Sequence, residues 1–205
     1  MDIGIIGVGR VGSALGRRWA EHGHAILFGA RDPSGEKAKV ALAQSPGARV
    51  GSLREAATFG EVVLIAVPGI AVLDAIHACG SLRGKIVIDA NNWFGERPPG
   101  VTRSLAEAIA DAAPGARVVK AFNITGSGNM LDPRYGEQNA DMLICGDDAE
   151  AKSVVGELAS SIGFDVVDAG PLSAAIGLEH LAQLWVHLAY RQGMGPNIAW
   201  KLLRR

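Results

Sequence analysis

The sequence predicts a doubly wound α/β fold, a mostly parallel sheet with a small helical C-terminal extension, and three observations predict it. Short apolar, β-branched runs recur along the chain, amphipathic helical stretches fill the intervals, and the alternation stops after Gly170-Pro171. Strands apolar on both faces belong to a sheet covered by helices on each side, and the strand-helix-strand rhythm makes neighbouring strands parallel. With 205 residues, 48% of them hydrophobic, the chain can bury one such core, or one core plus a small appendage.

Strands are expected near residues 3–6, 25–28, 62–67, 85–89, 117–121, 141–145 and 165–168, with helices between them. The first helix is the clearest, because Val11, Ala14, Leu15 and Trp19 fall on one face at three- and four-residue steps. Beyond Gly170 no strand signal remains, and residues 172–190 read as one helix with a stripe of Leu178, Leu181, Trp185 and Leu188. That stripe must pack on the sheet, on a second copy, or along a substrate cleft. The expected division is a nucleotide-binding sheet domain over residues 1–170 and the extension over 171–205.

Charge and composition narrow the partner. Twenty Lys and Arg against 21 Asp and Glu leave no net field to recruit nucleic acid or an anionic membrane, so a small molecule is favoured. The apolar stretch over residues 62–73 contains Pro68-Gly69 and is shorter than the ~18 residues a membrane span needs. The chain opens on a strand pattern, without a basic leader. Cys79 and Cys145 are far apart, in no CxxC and beside no His, which argues against zinc or a disulfide framework and suits a reducing cytoplasm.

Residues 3–33 carry the chemistry. They contain one GxGxxG match, Gly7, Gly9 and Gly12, although 27 glycines among 205 residues would produce roughly half such a match by chance. Context decides: the first Gly follows a strand directly and the third sits inside an amphipathic helix. In that setting Gly7 allows the tight turn, Gly9 lets a pyrophosphate approach the backbone, and Gly12 lets helix and strand pack closely. The turn Gly7-Val8-Gly9-Arg10-Val11-Gly12 then offers free N–H groups to an anion.

The end of the second strand selects the dinucleotide. In "GARDP", Asp32 before Pro33 reads as a helix N-cap, which occupies its carboxylate and leaves Arg31 free to stack on adenine and fork onto a 2′-phosphate. Lys37 can add a second charge. NADP(H) is therefore expected rather than NAD(H). Loops after later strands are the next candidates: Val67-Pro68-Gly69, Asn91 and Asn123, whose carboxamides could orient a nicotinamide or ribose, and Gly126, Gly128 and Met130, which could leave room for a second flat ring. No Ser/His/Asp series or metal cluster stands out, and His180 and His187, seven residues apart on a helix, lie about 10 Å from each other. No catalytic acid or base is expected: direct hydride transfer between two flat rings needs positioning, with Asn123 as a candidate orienting residue.

"IGIIGVGRVGSALGRRWAEHGH", "FGARD", "AVP", "VVKAFN", "LICGDDAEAK", "VVDAGPLSAA" and "GMG" resemble the NADP-dependent oxidoreductases of 8-hydroxy-5-deazaflavin, coenzyme F-420. The chain is similar as well to the cytosolic domain of six-transmembrane metalloreductases, which pass NADPH hydride to a flavin. The resemblance implies a Rossmann domain with a short C-terminal extension, a homodimer, and a 2′-phosphate site at Ala30-Arg31. Ala30 stands where the family often has a hydroxyl residue, so Arg31 carries more of the selectivity; Asn123 stands where deazaflavin enzymes carry His and looks more like the metalloreductase branch. The expected function is NADPH-dependent hydride exchange with a deazaflavin, or with FMN or FAD. The alternatives are a non-catalytic NADPH sensor and, less favoured because only 35 residues follow Gly170, a short imine or hydroxyacid reductase.

Overall fold

The structure, a computed structural model, describes residues 1–95 and 97–205. The chain runs β1 (Asp2–Ile6), α1 (Arg10–Glu21), β2 (Ala25–Gly29), α2 (Glu36–Gln44), β3 (Arg49–Gly51), α3 (Leu53–Phe59) and β4 (Val62–Ile65). A 3-10 turn (Gly69–Ala71) leads into α4 (Val72–Cys79), β5 (Ile86–Asp89), α5 (Leu105–Ala112), β6 (Arg117–Lys120) and the short α6 (Ser127–Leu131). Then come β7 (Arg134–Tyr135), β8 (Gln138–Asn139), β9 (Asp141–Gly146), α7 (Ala149–Ser161), β10 (Asp165–Asp168) and α8 (Ala175–Val186).

Eight strands form one sheet in the order β10-β9-β6-β5-β4-β1-β2-β3, and β7 and β8 pair as a separate hairpin. The stretch 3-2-1-4-5-6 is the Rossmann order, with its topological switch between β1 and β4, where a crevice opens beyond the carboxyl ends of the strands. Side chains of β1, β4 and β5 such as Ile5, Leu64 and Val87 are fully buried, because helices cover both faces. Capping boxes, Ser52 with Glu55 and Ser104 with Glu107, start α3 and α5 where the sequence offers Ser-x-x-Glu.

Within this mostly parallel sheet, β9 pairs antiparallel with β6, Lys120 opposite Cys145, and β10 follows β9 in parallel. Between β6 and β9 the only helix is five-residue α6, too short to carry the chain back across the sheet, so β9 starts from the carboxyl edge. The "CGDD" and "DAGPLS" segments therefore sit at the opposite edge, where Asp148 caps α7 and Asp147 accepts from the Leu172 N–H at 2.9 Å.

The expected C-terminal helix is helical throughout but not uniform. A 3-10 turn (Leu172–Ala174) precedes α8 and a π turn (His187–Arg191) ends it. Leu172, Ala175 and Leu178 join the same core as the sheet. The tail then returns over the carboxyl edge: the Trp200 carbonyl accepts from the Asp141 N–H, and the Trp200 indole donates to the Ile124 carbonyl.

Candidate functional site

Gly7 takes φ +114°, and a Cβ there would lie 2.3 Å from the Ala66 carbonyl oxygen, so only glycine makes the turn from β1. Gly12 brings α1 against that turn, since its own Cβ would meet the Gly7 oxygen at 2.2 Å. Gly9 differs from both: it is the N-cap of α1, no side chain caps the helix, no acidic residue stands in the first turn, and nothing lies within 4 Å of where its Cβ would be. The first N–H groups of α1 thus face open space with their partial positive charge uncompensated.

That turn is the floor of a groove of about 500 Å³ across the switch point. Gly7, Val8, Gly9, Ala30, Arg31, Lys37, Val67 and Pro68 line it, eight residues singled out from the sequence. Arg10 lies in the adjoining hollow, which shares Val8, Gly9 and Lys37 with the groove. Arg10, Arg31 and Lys37 make no ion pair among the described residues. Asp32 is not the cap of α2, which begins four residues later with Gly35 at its N-cap. Its carboxylate accepts from the Ser34 N–H and hydroxyl instead, an Asx turn that still keeps it from Arg31.

Other expected residues stand elsewhere. Val11 packs half-buried against the core, while Pro68, on the groove wall, stands just before the 3-10 turn. Asn91 is buried behind the groove wall: its Oδ1 accepts the Val67 N–H at 2.8 Å and its Nδ2 donates to Asp89 at 2.6 Å, so the carboxamide holds Val67 in place. Asn123 is also buried, donating to the Asn92 side chain and the Leu178 carbonyl, while its Oδ1 has no partner among the described residues. Phe122 before it has φ +59°, the one non-glycine residue in the left-handed region among the described residues. Met130 is core, and Gly126 leaves room not for a ligand but for Trp185, whose ring would lie 2.7 Å from a Cβ. Gly128 alone of that loop's candidates faces open space.

His180 packs edge-on against Trp93, and His187 faces Gln192. Burial pushes the Cys79 thiol up to about 11 and that of Cys145 up to about 12, which suits neither to nucleophilic work.

Sequence reasoning missed the most buried polar feature. Lys120, Asp89 and Glu179 are all fully buried, and Lys120 Nζ donates to Asp89 Oδ2 (2.8 Å), Glu179 Oε1 (2.9 Å) and the Asn91 carbonyl (2.6 Å). Glu179, on α8, also accepts from the Leu105 N–H and the Trp93 indole. A signal existed: Asp89 closes the apolar run Ile86-Val87-Ile88 and Lys120 follows Val118-Val119, and charges so placed need partners.

The architecture and the glycine turn define a Rossmann-type α/β protein. The family described as NADP oxidoreductase, coenzyme F420-dependent, matches residues 2–93. The F420-dependent NADP reductase of Methanocaldococcus jannaschii is 30% identical over 92% of this chain and 92% of its own length. A crystal structure from Arthrobacter sp. FB24, provisionally described as an F420-dependent NADP-reductase, superposes with a TM-score of 0.89 at 31% identity, covering 98% of this chain and 99% of that one. Metalloreductase STEAP3 of Rattus norvegicus is 34% identical over 86% of this chain but only 35% of its own length, so the chain spans about a third of that relative. The chain belongs to the F420-dependent NADP oxidoreductase family. Among the described residues no helix is long and apolar enough to cross a membrane.

Proposed function

We propose that the chain is an NADP(H)-dependent oxidoreductase that moves hydride between NADP(H) in the switch-point groove and a deazaflavin or flavin ring on the β6 side of the carboxyl edge. The observation that carries this is an uncapped helix start opening on a groove lined by Arg31 and Lys37, with Arg10 in the adjoining hollow, three cations without an ion pair among the described residues. A dinucleotide phosphate fits there: the open space at Gly9 admits it to the backbone, and the α1 N–H groups would hold it. Arg31 and Lys37 would take the 2′-phosphate, Ala30 offering no hydroxyl, while Val67 and Pro68 would flank the ribose beyond the turn. When bound, NADPH supplies the hydride. The chain positions, excludes water and fixes the ring face, and no side chain need move a proton.

A relative named as an F420-dependent NADP reductase supports the deazaflavin acceptor. The acceptor-side wall in this reading is the extension, residues 171–205, together with the Asn92-Asn123 pair. Exposed Leu184, Tyr190 and Met194 support the pairing of two copies through the extension, and buried free thiols suit a reducing cytoplasm. The test mixes purified protein with NADPH and, in turn, reduced-carrier-free deazaflavin, FMN and FAD, following absorbance at 340 nm, the dihydronicotinamide band. Oxidation with one of the three is expected, and none with any would refute the reading.

A further inference from the structure

The buried Lys120-Asp89-Glu179 cluster carries two carboxylates and one ammonium. Asp89 accepts from the Asn91 N–H and Nδ2 and from Lys120, and Glu179 from Lys120, the Leu105 N–H and the Trp93 indole. Both carboxylates act only as acceptors, the role of the ionised group, so the cluster bears one net negative charge. It lies under the carboxyl ends of β5 and β6, and two hydrogen bonds through Asn91 separate Asp89 from the Val67 N–H on the groove wall. A dinucleotide whose adenosine end meets Arg31 and whose phosphates meet Gly9 extends past Val67 toward this charge.

We propose that Asp89, Lys120 and Glu179 are positioning residues whose net negative charge makes the groove hold cationic, oxidised nicotinamide more tightly than the neutral reduced ring. This rests on the NADP(H) reading of the groove. Hydride transfer would break a C–H bond of the dihydronicotinamide and form a bond from that hydrogen to the flavin-type acceptor ring with the same electron pair; the reduced acceptor takes its balancing proton from solvent, and one positive charge stays on the donor ring. A buried negative charge stabilises that charge and makes bound NADPH the stronger reductant. For unit charges about 10 Å apart at an effective dielectric of about 20 to 50, the preference is about threefold to fifteenfold.

Isothermal titration of NADP+ and NADPH tests it without turnover. Glu179→Gln and, independently, Asp89→Asn remove one negative charge, and each raises the ratio Kd(NADP+)/Kd(NADPH) by about threefold to fifteenfold. Glu179→Asp keeps the charge and returns the ratio to that of the wild type. A scaffold without electrostatic influence would shift both constants together. An unchanged ratio in folded Glu179→Gln or Asp89→Asn overturns the inference alone, whereas wild-type protein that binds neither nucleotide overturns the reading beneath it.

Discussion

Replacing Arg31 by alanine probes the nucleotide choice directly. Arg31 stands one residue past Ala30 on the groove wall, exposed and without an ion pair among the described residues, while the nearest acid in sequence, Asp32, is engaged by Ser34. A 2′-phosphate would therefore be its charged partner, and the forked, charge-assisted contact together with stacking on adenine contributes about 2 kcal/mol. Arg31→Ala should raise Kd for NADPH about thirtyfold. NADH has no phosphate to lose, so only stacking on adenine is removed, a loss of about two- to fivefold. Fluorescence titration of both nucleotides measures the two constants, and the preference for NADPH should fall by about tenfold. Arg31→Lys, keeping the charge without the fork, should recover part of it. Equal losses for NADPH and NADH would refute the phosphate assignment and return Arg31 to the role of an ordinary surface cation.

Gly7 and Gly9 separate folding from binding. Gly7→Ala meets backbone at 2.3 Å in a positive-φ turn and should lower stability by at least about 2 kcal/mol in thermal unfolding, whereas Gly9→Ala, with nothing within 4 Å, should leave Tm unchanged and weaken NADPH about tenfold or more. Asn91→Leu leaves the Val67 N–H unpaired and strips Asp89 of a donor, so a loss of about 2 to 3 kcal/mol is expected in denaturant unfolding, with weaker nucleotide binding because Val67 is no longer held. Burial, the N-terminal ammonium and His22 hold the His24 imidazole below its usual value, and its Nδ1 is buried without a partner among the described residues. The fold thus prefers neutral His24: its contribution is complete above pH about 6.5 and is lost as pH falls from there through the depressed folded value. Tm should drop on acidification across that window, and His24→Gln should flatten that part of the profile.

How much of this is legible in the sequence depends on locality. The nucleotide end is written in one continuous stretch: a strand, a glycine turn, a helix and a second strand ending at Arg31, each fixed by its neighbours in sequence. Strand positions were legible for the same reason, but strand direction was not. Apolar runs read identically in either sense, and only the shortness of α6 shows that β9 must start from the edge where β6 ended. Three-residue β3 and the β7-β8 hairpin are too short to leave a periodic signal. Asn91 and Asn123 were legible as loop amides at strand ends, yet where a carboxamide points depends on what surrounds it, and both turn inward.

The buried Lys120-Asp89-Glu179 cluster is non-local, which explains both why it was hard to read and how it is built. Asp89 and Lys120 are register partners on β5 and β6, so one ion pair could be inferred from adjacent strands, but Glu179 comes from a helix 59 residues beyond Lys120. In an α8 face of Leu178, Ala182 and Trp185, a buried Glu breaks the apolar pattern. Its cost is offset only because three donors from β6, the start of α5 and the loop after β5 converge on it. Its position is explained if the extension must be set against the loops after β4, β5 and β6 in one register: Glu179 fixes Trp93 and Lys120, Lys120 fixes Asp89 and the Asn91 carbonyl, and Asn91 fixes Val67. Through that chain of contacts a helix near the C-terminus reaches the wall of a groove whose floor is laid by residue 7.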